Sequence, residues 1–191
     1  MIQEMKNRQG EKIILGIDPG TTITGYGLIS VEGKTPTLIT LGIIDLRKKE
    51  DHFRKIRTIF EQTLSLIDQY HPDEFAIEAP FYGKNVQSML KLGRAQGAAI
   101  SAALYRDLPV FEYAPRMIKM SITGQGQASK EQVCAMLKTI LSFDTEKMVL
   151  DATDALGAAL CHFYQSNKPV SSKGYKNWGE YIKKNSDRLK E

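Results

Sequence analysis

The sequence predicts an α/β domain, a mixed five-stranded sheet flanked by helices. Three observations carry that reading. Three short apolar runs come first, with turn residues and no helix-length pattern between them. After residue 50, amphipathic helical spacing alternates with further short apolar runs. Gly, Pro, Asn and Asp punctuate most changes of pattern.

The elements follow in order. Ile13 to Ile17 is an apolar run closed by Asp18-Pro19-Gly20, a strand followed by a turn. Tyr26 to Val31 and Thr37 to Asp45 are two more strands around the turn-like Glu32-Gly33-Lys34-Thr35-Pro36, which together predict an antiparallel meander. Phe53, Ile56, Ile59, Phe60, Leu64 and Ile67 recur at helical spacing, so residues 50–70 are an amphipathic helix. Glu74 to Glu78 is a short strand stopped by Pro80, and Val86 to Asp107 a helix rich in small residues. Pro109 to Tyr113 is a fifth strand, followed by a short helix near Pro115–Ser121 and a loop containing Gly124 and Gly126. Ser129 to Leu141 is a helix with Ser129 as N-cap and Gln132 completing a capping box. Asp151 to Tyr164 is the last helix. The short helix aside, the order is βββ-α-β-α-β-α-α, that of a ribonuclease H-like domain.

A length of 191 residues fits one domain with a sizeable core. The expected division is a flexible leader over 1–11, the domain over 12–167 and a basic flexible tail over 168–191. The tail has seven Lys/Arg against three acids, so it carries the whole net charge of +4 and residues 1–167 are neutral. Any polyanion-binding surface on the body must therefore be a local patch. Trp178 and Tyr181 are the tail's only anchors, and it is expected to be mobile. No apolar run is long enough to span a bilayer, and Met1 to Gly10 lacks the apolar core of a secretory signal. Cys134 and Cys161 lie far apart and form no CxxC pair. Two buried thiols in a reduced, cytoplasmic protein are expected.

Four carboxylates stand out. Asp18 closes an apolar strand; a turn Asp before Pro-Gly is the plain structural alternative. Glu78 ends another buried strand, although Glu disfavours strands and is rarely buried unpaired. If those strands lie side by side, the two acids project from one edge and repel each other unless a cation sits between them. Asp151 and Asp154, three apart at the start of the last helix, share a face. Taken singly, they are an N-cap and a first-turn acid. One shared explanation covers all four: hard oxygen ligands from several elements suit Mg²⁺, and two such ions clamp the attacking and leaving oxygens of a phosphodiester.

Gly16-Ile17-Asp18-Pro19-Gly20 with Gly25-Tyr26-Gly27 resembles the first motif of the RuvC family of Holliday-junction resolvases. Phe75-Ala76-Ile77-Glu78 with Phe81-Tyr82-Gly83-Lys84-Asn85 resembles the second. Leu90-Lys91-Leu92-Gly93 and Pro109-Val110-Phe111-Glu112-Tyr113-Ala114 are similar to further blocks, and Asp151-Ala152-Thr153-Asp154-Ala155-Leu156 to the last acidic one. The blocks stand in family order over about residues 12–165; each is weak alone and the set is specific. The resemblance implies a Mg²⁺-dependent endonuclease of recombination and repair, with two ions per subunit and Mn²⁺ as a substitute. Such an enzyme works as a homodimer on a four-way DNA junction, with the RuvA–RuvB branch-migration complex as partner. It nicks two opposed strands, leaving 5′-phosphate and 3′-hydroxyl ends. Water is the nucleophile, Asp18 bridges both ions, and Glu78, Asp151 and Asp154 complete the shells.

The resemblance also implies that Lys119 and Lys130, flanking the loop Thr123–Gln127, lie near the cleaved phosphate, where a cation stabilises developing charge. Phe81 is the implied wedge at the crossover, assisted by Tyr82. Lys84, Arg94 and Arg116 are candidates for plain phosphate contact. Gly93, Gly97 and Ser101 recur every four residues on the second helix. They are either a dimer seam or a face packed on the parent sheet. His52, His71 and His162 are isolated and given no catalytic role.

Three rivals stand beside this reading. Asp18-Pro19-Gly20-Thr21-Thr22 is also close to the phosphate loop of actin-like ATP-binding domains. That class needs a second domain and an adenosine-binding stretch, for which 191 residues leave no room. A junction-binding module without cleavage fits poorly with a complete acidic set. A RuvC-like nuclease acting on ribosomal RNA precursors shares the first motif; the Phe81–Asn85 and Asp151–Leu156 blocks favour the junction enzyme.

Overall fold

The structure, a computed structural model, describes residues 10–48, 51–80, 85–143 and 150–167. Ten elements follow one another: β1 (Glu11–Asp18), β2 (Ile23–Glu32), β3 (Thr35–Asp45), α1 (His52–Tyr70), β4 (Glu74–Glu78), α2 (Val86–Leu104), β5 (Val110–Tyr113), α3 (Pro115–Thr123), α4 (Lys130–Leu141) and α5 (Leu150–Ser166). They form the expected mixed sheet, in the order β3-β2-β1-β4-β5. The meander is antiparallel, and β4 and β5 run parallel to β1.

Side-chain alternation along each strand sorts the core into two layers. Ile13, Leu15 and Ile17 of β1 and Phe75 and Ile77 of β4 face α1 and α2, packing on Ile59, Ile67, Ala95 and Ala99. Ile14 and Ala76 face the other way, onto Leu156, Ala159 and Leu160 of α5, with α3 and α4 outside it. Two steps on from Gly16 and Ala76, the same parity turns Asp18 and Glu78 toward the α5 layer. The register pairs Ile17 with Ile77, so the two acids end adjacent parallel strands.

Several boundaries differ from expectation by a residue or more, among them β3, which begins at Thr35 inside the expected turn; three others bear on the site or its packing. β2 begins at Ile23, not Tyr26, because Gly25 and Gly27 pair fully with β1 but contribute no side chain to the apolar pattern. α2 stops at Leu104; Asp107 adopts φ 55°, a left-handed conformation that Asp tolerates and that turns the chain toward β5. α5 starts at Leu150, which places Asp151 inside the first turn and not at the N-cap. The capping box is present: the Gln132 backbone N–H donates to Ser129 Oγ, and the Ser129 N–H donates to the Gln132 side chain.

Helix α2 turns Ala95, Ala98, Ala99, Ala102 and Ala103 to the sheet. Among the described residues nothing lies within 4 Å of a Cβ built on Gly93 or Gly97. The small-residue stripe therefore faces away from the sheet, beside the exposed Val86, Leu90 and Leu104. This removes the expectation's alternative, packing on the parent sheet. Of the two expected buried thiols, Cys161 is buried, its Sγ 3.3 Å from Ser121 Oγ, and Cys134 is only partly buried. Among the described residues no helix is long and apolar enough to cross a membrane.

Candidate metal centre

The approach of α5 to the sheet is set by three glycines. A Cβ on Gly16 would stand 2.1 Å from the Ala155 carbonyl oxygen, and one on Gly27 2.7 Å from Leu156 Cα. A Cβ on Gly25 would stand 1.9 Å from the carbonyl oxygen of Asp151. Gly16 pairs with Gly27, and Gly25 with Asp18. These positions form a bare strip on which α5 lies backbone to backbone, its own contact face made of Ala152, Ala155 and Ala159. Any side chain in the strip would lift the helix and carry its acids away from Asp18.

The opposite end of α5 is held by a polar anchor that the sequence reading missed. His162 is 1% exposed. Its Nε2 lies 2.5 Å from Glu74 Oε2, and its Nδ1 2.6 Å from the Tyr113 hydroxyl. A carboxylate only accepts, so Nε2 donates to Glu74; the Tyr113 O–H then donates to Nδ1 of the neutral ring. Burial holds the His162 pKa below its usual value and keeps that ring neutral. Lys12 pairs with the same Glu74 oxygen at 2.5 Å, and Phe111 stacks on the imidazole at 4.1 Å between centroids. A histidine on the otherwise apolar face of the last helix, and a glutamate two steps from Ala76 on the same strand face, were the available signals.

Between these fixings four acids meet. Oxygens of Asp18, Asp151 and Asp154 all lie within 4.8 Å of one another. Glu78 stands outside that tight group but lines the same pocket of about 270 Å³ with Asp18, Asp154, Lys119, Lys130, Pro115, Ile118 and Val133. Lys130 Nζ donates to Asp154 and lies 3.7 Å from Asp151. Burial first, then the neighbouring Asp154 and Asp151, raises the Asp18 pKa to about 7. Burial, then Asp18 and Asp154, raises that of Glu78 to about 8. Lys130 opposes both shifts without cancelling them. Burial works against the charge on Lys130 itself, but its bond to Asp154 and the nearby carboxylates outweigh this and raise its pKa. The cluster is thus short of positive charge, and its donors are all hard oxygens.

The other candidates divide. Lys119 joins the pocket from α3. Arg94 and Arg116 are exposed on α2 and α3, and neither lines the pocket; the Arg116 stem packs over Gly126, where a Cβ would meet its Cγ at 2.7 Å. Phe81, Tyr82 and Lys84 lie outside the described residues.

Comparison with known proteins gives one answer. The family model described as crossover junction endodeoxyribonuclease RuvC matches residues 14–162. A crossover junction endodeoxyribonuclease RuvC of Bacteroides fragilis is 61% identical, with 100% of both chains covered. The Salinibacter ruber protein of the same name is 46% identical over 94% of this chain and 99% of its own. Among solved structures, Thermus thermophilus RuvC superposes with a TM-score of 0.72 at 31% identity, covering 81% of this chain and 95% of its own. The same protein in complex with Holliday junction substrate gives 0.74 at 29% identity, covering 81% and 94%.

Proposed function

The chain belongs to the RuvC family of crossover junction endodeoxyribonucleases, and on that premise we propose that it resolves four-way DNA junctions by paired nicks in opposed strands, with Asp18, Glu78, Asp151 and Asp154 as metal ligands. The observation that carries the site assignment is the convergence of Asp18, Glu78 and Asp154 from β1, β4 and α5 in one pocket with Lys119 and Lys130, with Asp151 grouped beside Asp18 and Asp154. The relatives described above carry the junction reading, and none of them carries the ribosomal-RNA alternative.

The family uses divalent metal, and the residues fit one: carboxylates on separate elements, where burial and then the neighbouring acids raise the pKa of Asp18 and of Glu78. Mg²⁺ suits such ligands, with two ions per subunit and Mn²⁺ as an acceptable substitute. When bound, the ions supply positive charge to the phosphate oxygens and ease the deprotonation of water. Asp18, grouped with Asp151 and Asp154 and lining one pocket with Glu78, would be the ligand shared between the ions, and Glu78, Asp151 and Asp154 would complete their shells. Lys130, already bonded to Asp154, and Lys119 hold fixed positive charge for the phosphate and the departing 3′-oxygen. Products carry 5′-phosphate and 3′-hydroxyl ends.

Phe81 and Tyr82 are assigned to stacking at the crossover, worth roughly 1–3 kcal/mol per base. Lys84, Arg94 and Arg116 are assigned to phosphate contacts away from the chemistry. The open Gly93/Gly97/Ser101 stripe, flanked by exposed Val86, Leu90 and Leu104, supports a homodimer built on α2. A C₂ pair places one acidic centre on each of two opposed strands of a two-fold symmetric junction. A cytoplasmic setting and the RuvA–RuvB complex as partner complete the reading. The test is incubation with a synthetic four-way junction and a linear duplex of matching sequence, each with and without Mg²⁺. Cutting confined to the junction with Mg²⁺ is expected; equal cutting of the duplex would refute junction selectivity.

A further inference from the structure

Two runs of backbone of nearly equal length join the acidic pocket to the buried His162. Along β4, Glu74 and Glu78 stand four residues apart on one strand face, about 13 Å of extended chain. Along α5, Asp154 and His162 stand eight residues apart, about 12 Å of helix. The runs meet at both ends. Glu78 and Asp154 line one pocket, and Glu74 Oε2 lies 2.5 Å from His162 Nε2.

The other contacts of α5 constrain its axial position less sharply. The strip beneath it at Gly16, Gly25 and Gly27 offers no side chain to interlock with its turns. Its apolar contacts, such as Ile14 and Ala76 against Leu156 and Leu160, are non-directional. Cys161 and Gln165 bond to Ser121 of α3, and Asp154 to Lys130 of α4; those partners are on helices and not on the sheet. His162 reaches the sheet on two strands, at Glu74 of β4 and Tyr113 of β5. The neutral ring serves both: Nε2 donates to the carboxylate while Nδ1 accepts from the Tyr113 hydroxyl.

We propose that the His162–Glu74–Tyr113 network sets the axial position of α5, and with it the placement of Asp151 and Asp154 against Asp18 and Glu78. His162 is then a positioning residue for cleavage, acting through the helix and touching neither metal nor DNA. Asp151 and His162, eleven residues apart, return to within about 20° of one helix face, so a slide or rotation released at His162 is carried to the acids. A displacement of about 1 Å at a reacting group can cost 100-fold in rate. The inference rests on the assignment of the four acids to metal.

The test uses the full-length protein and three readouts: single-turnover junction cleavage in Mg²⁺, junction affinity in chelator, and Mn²⁺ binding by calorimetry without DNA. His162→Phe keeps a ring to stack on Phe111 but makes neither hydrogen bond. Its cleavage is expected to fall between about 10-fold and 100-fold, with weaker Mn²⁺ binding and unchanged junction affinity. Tyr113→Phe, which deletes one hydroxyl, should move the same readouts in the same direction by less, and carries the test should His162→Phe fail to fold. At Glu74 the conservative variant separates positioning from charge. Glu74→Gln keeps an acceptor oxygen for Nε2 and should cut close to the wild-type rate, whereas Glu74→Leu should behave as His162→Phe does. Lys12, its side chain 39% exposed, can turn to solvent in both. Variants that melt earlier yet cut and bind Mn²⁺ as wild type does at a temperature where they are folded would overturn the proposal, leaving the network a role in stability alone. Equal loss in Glu74→Gln and Glu74→Leu would overturn it too, since charge and not the hydrogen bond would then matter. A wild-type protein that binds no Mn²⁺ would refute the metal assignment itself, an outcome distinct from wild-type behaviour of the variants.

Discussion

Gly25 and the carbonyl oxygen of Asp151 meet so closely that a single added methyl group would stand 1.9 Å from that oxygen. The proposed metal centre therefore depends on the absence of a side chain from the facing strand. Gly25→Ala should push the first turn of α5 outward and separate Asp151 and Asp154 from Asp18. Overpacking of this kind costs typically about 1–3 kcal/mol, so the domain should still fold. A displacement of about 1 Å at a catalytic group can cost 100-fold in rate. The expected result is cleavage reduced about 100-fold with a modest fall in melting temperature. Full activity in Gly25→Ala would show that the backbone contact does not set the site.

Burial of Asp18 and Glu78, reinforced by repulsion among the acids, predicts an unusual pH dependence in the metal-free protein. The Asp18 and Glu78 pKa values stand at about 7 and about 8, above the roughly 4 of an unfolded carboxylate. Between these values the folded state binds more protons than the unfolded one, so stability falls as pH rises from about 4 to about 8. Mg²⁺ should return most of that loss, and more at pH 8 than at pH 6. Glu78→Gln should raise the melting temperature of the metal-free protein at pH 8 while abolishing cleavage. Since about 1 kcal/mol moves the midpoint of a protein this size by roughly 2–4 °C, thermal scans with and without chelator resolve the effect. A lower midpoint for Glu78→Gln at pH 8 would contradict the assignment of Glu78 to the repelling cluster.

Lys130 bonds to the same Asp154 that is assigned to metal, so it competes with a cation for that carboxylate. Removing it should separate affinity from rate. Lys130→Ala is expected to bind Mn²⁺ at least as tightly as wild type by calorimetry, yet to cut junctions 10-fold or more slowly through loss of one charge-stabilising contact, worth roughly 3–4 kcal/mol at most. Weaker metal binding would mean that Lys130 organises the acids and does not act on the phosphate.

The open stripe of α2 predicts that dimerisation can be blocked without unfolding the subunit. Among the described residues nothing lies within 4 Å of a Cβ at Gly97, so Gly97→Leu starts its side chain in open space. It should shift sedimentation toward monomer and, on a cruciform plasmid, raise nicked circle relative to linear product. A dimeric variant that still linearises the plasmid would place the seam elsewhere.

Much of this was legible in the sequence, for physical reasons. Strand alternation and helical spacing are local signals, and β4 and the Ser129 capping box stand where they were expected. Asp18 and Glu78 were conspicuous because acids are rare at the ends of buried strands. What escaped was information written in absences and in distant pairs. Gly25 and Gly27 hid the first half of β2, and their purpose appears only when α5 lies on them. His162 and Glu74 are 88 residues apart, and nothing local marks them as partners. The outward turn of Gly93 and Gly97 required knowing which face of α2 its alanines bury.

The central claim is that one acidic centre per subunit cuts opposed strands of a junction. The direct measurement compares wild type with Asp18→Asn on a cruciform plasmid in Mg²⁺, at protein concentrations giving equal junction occupancy by gel shift. Wild type should yield linear plasmid with 5′-phosphate and 3′-hydroxyl ends. Asp18→Asn should remain bound and leave the plasmid supercoiled. Linear product from Asp18→Asn at the wild-type rate would contradict the account.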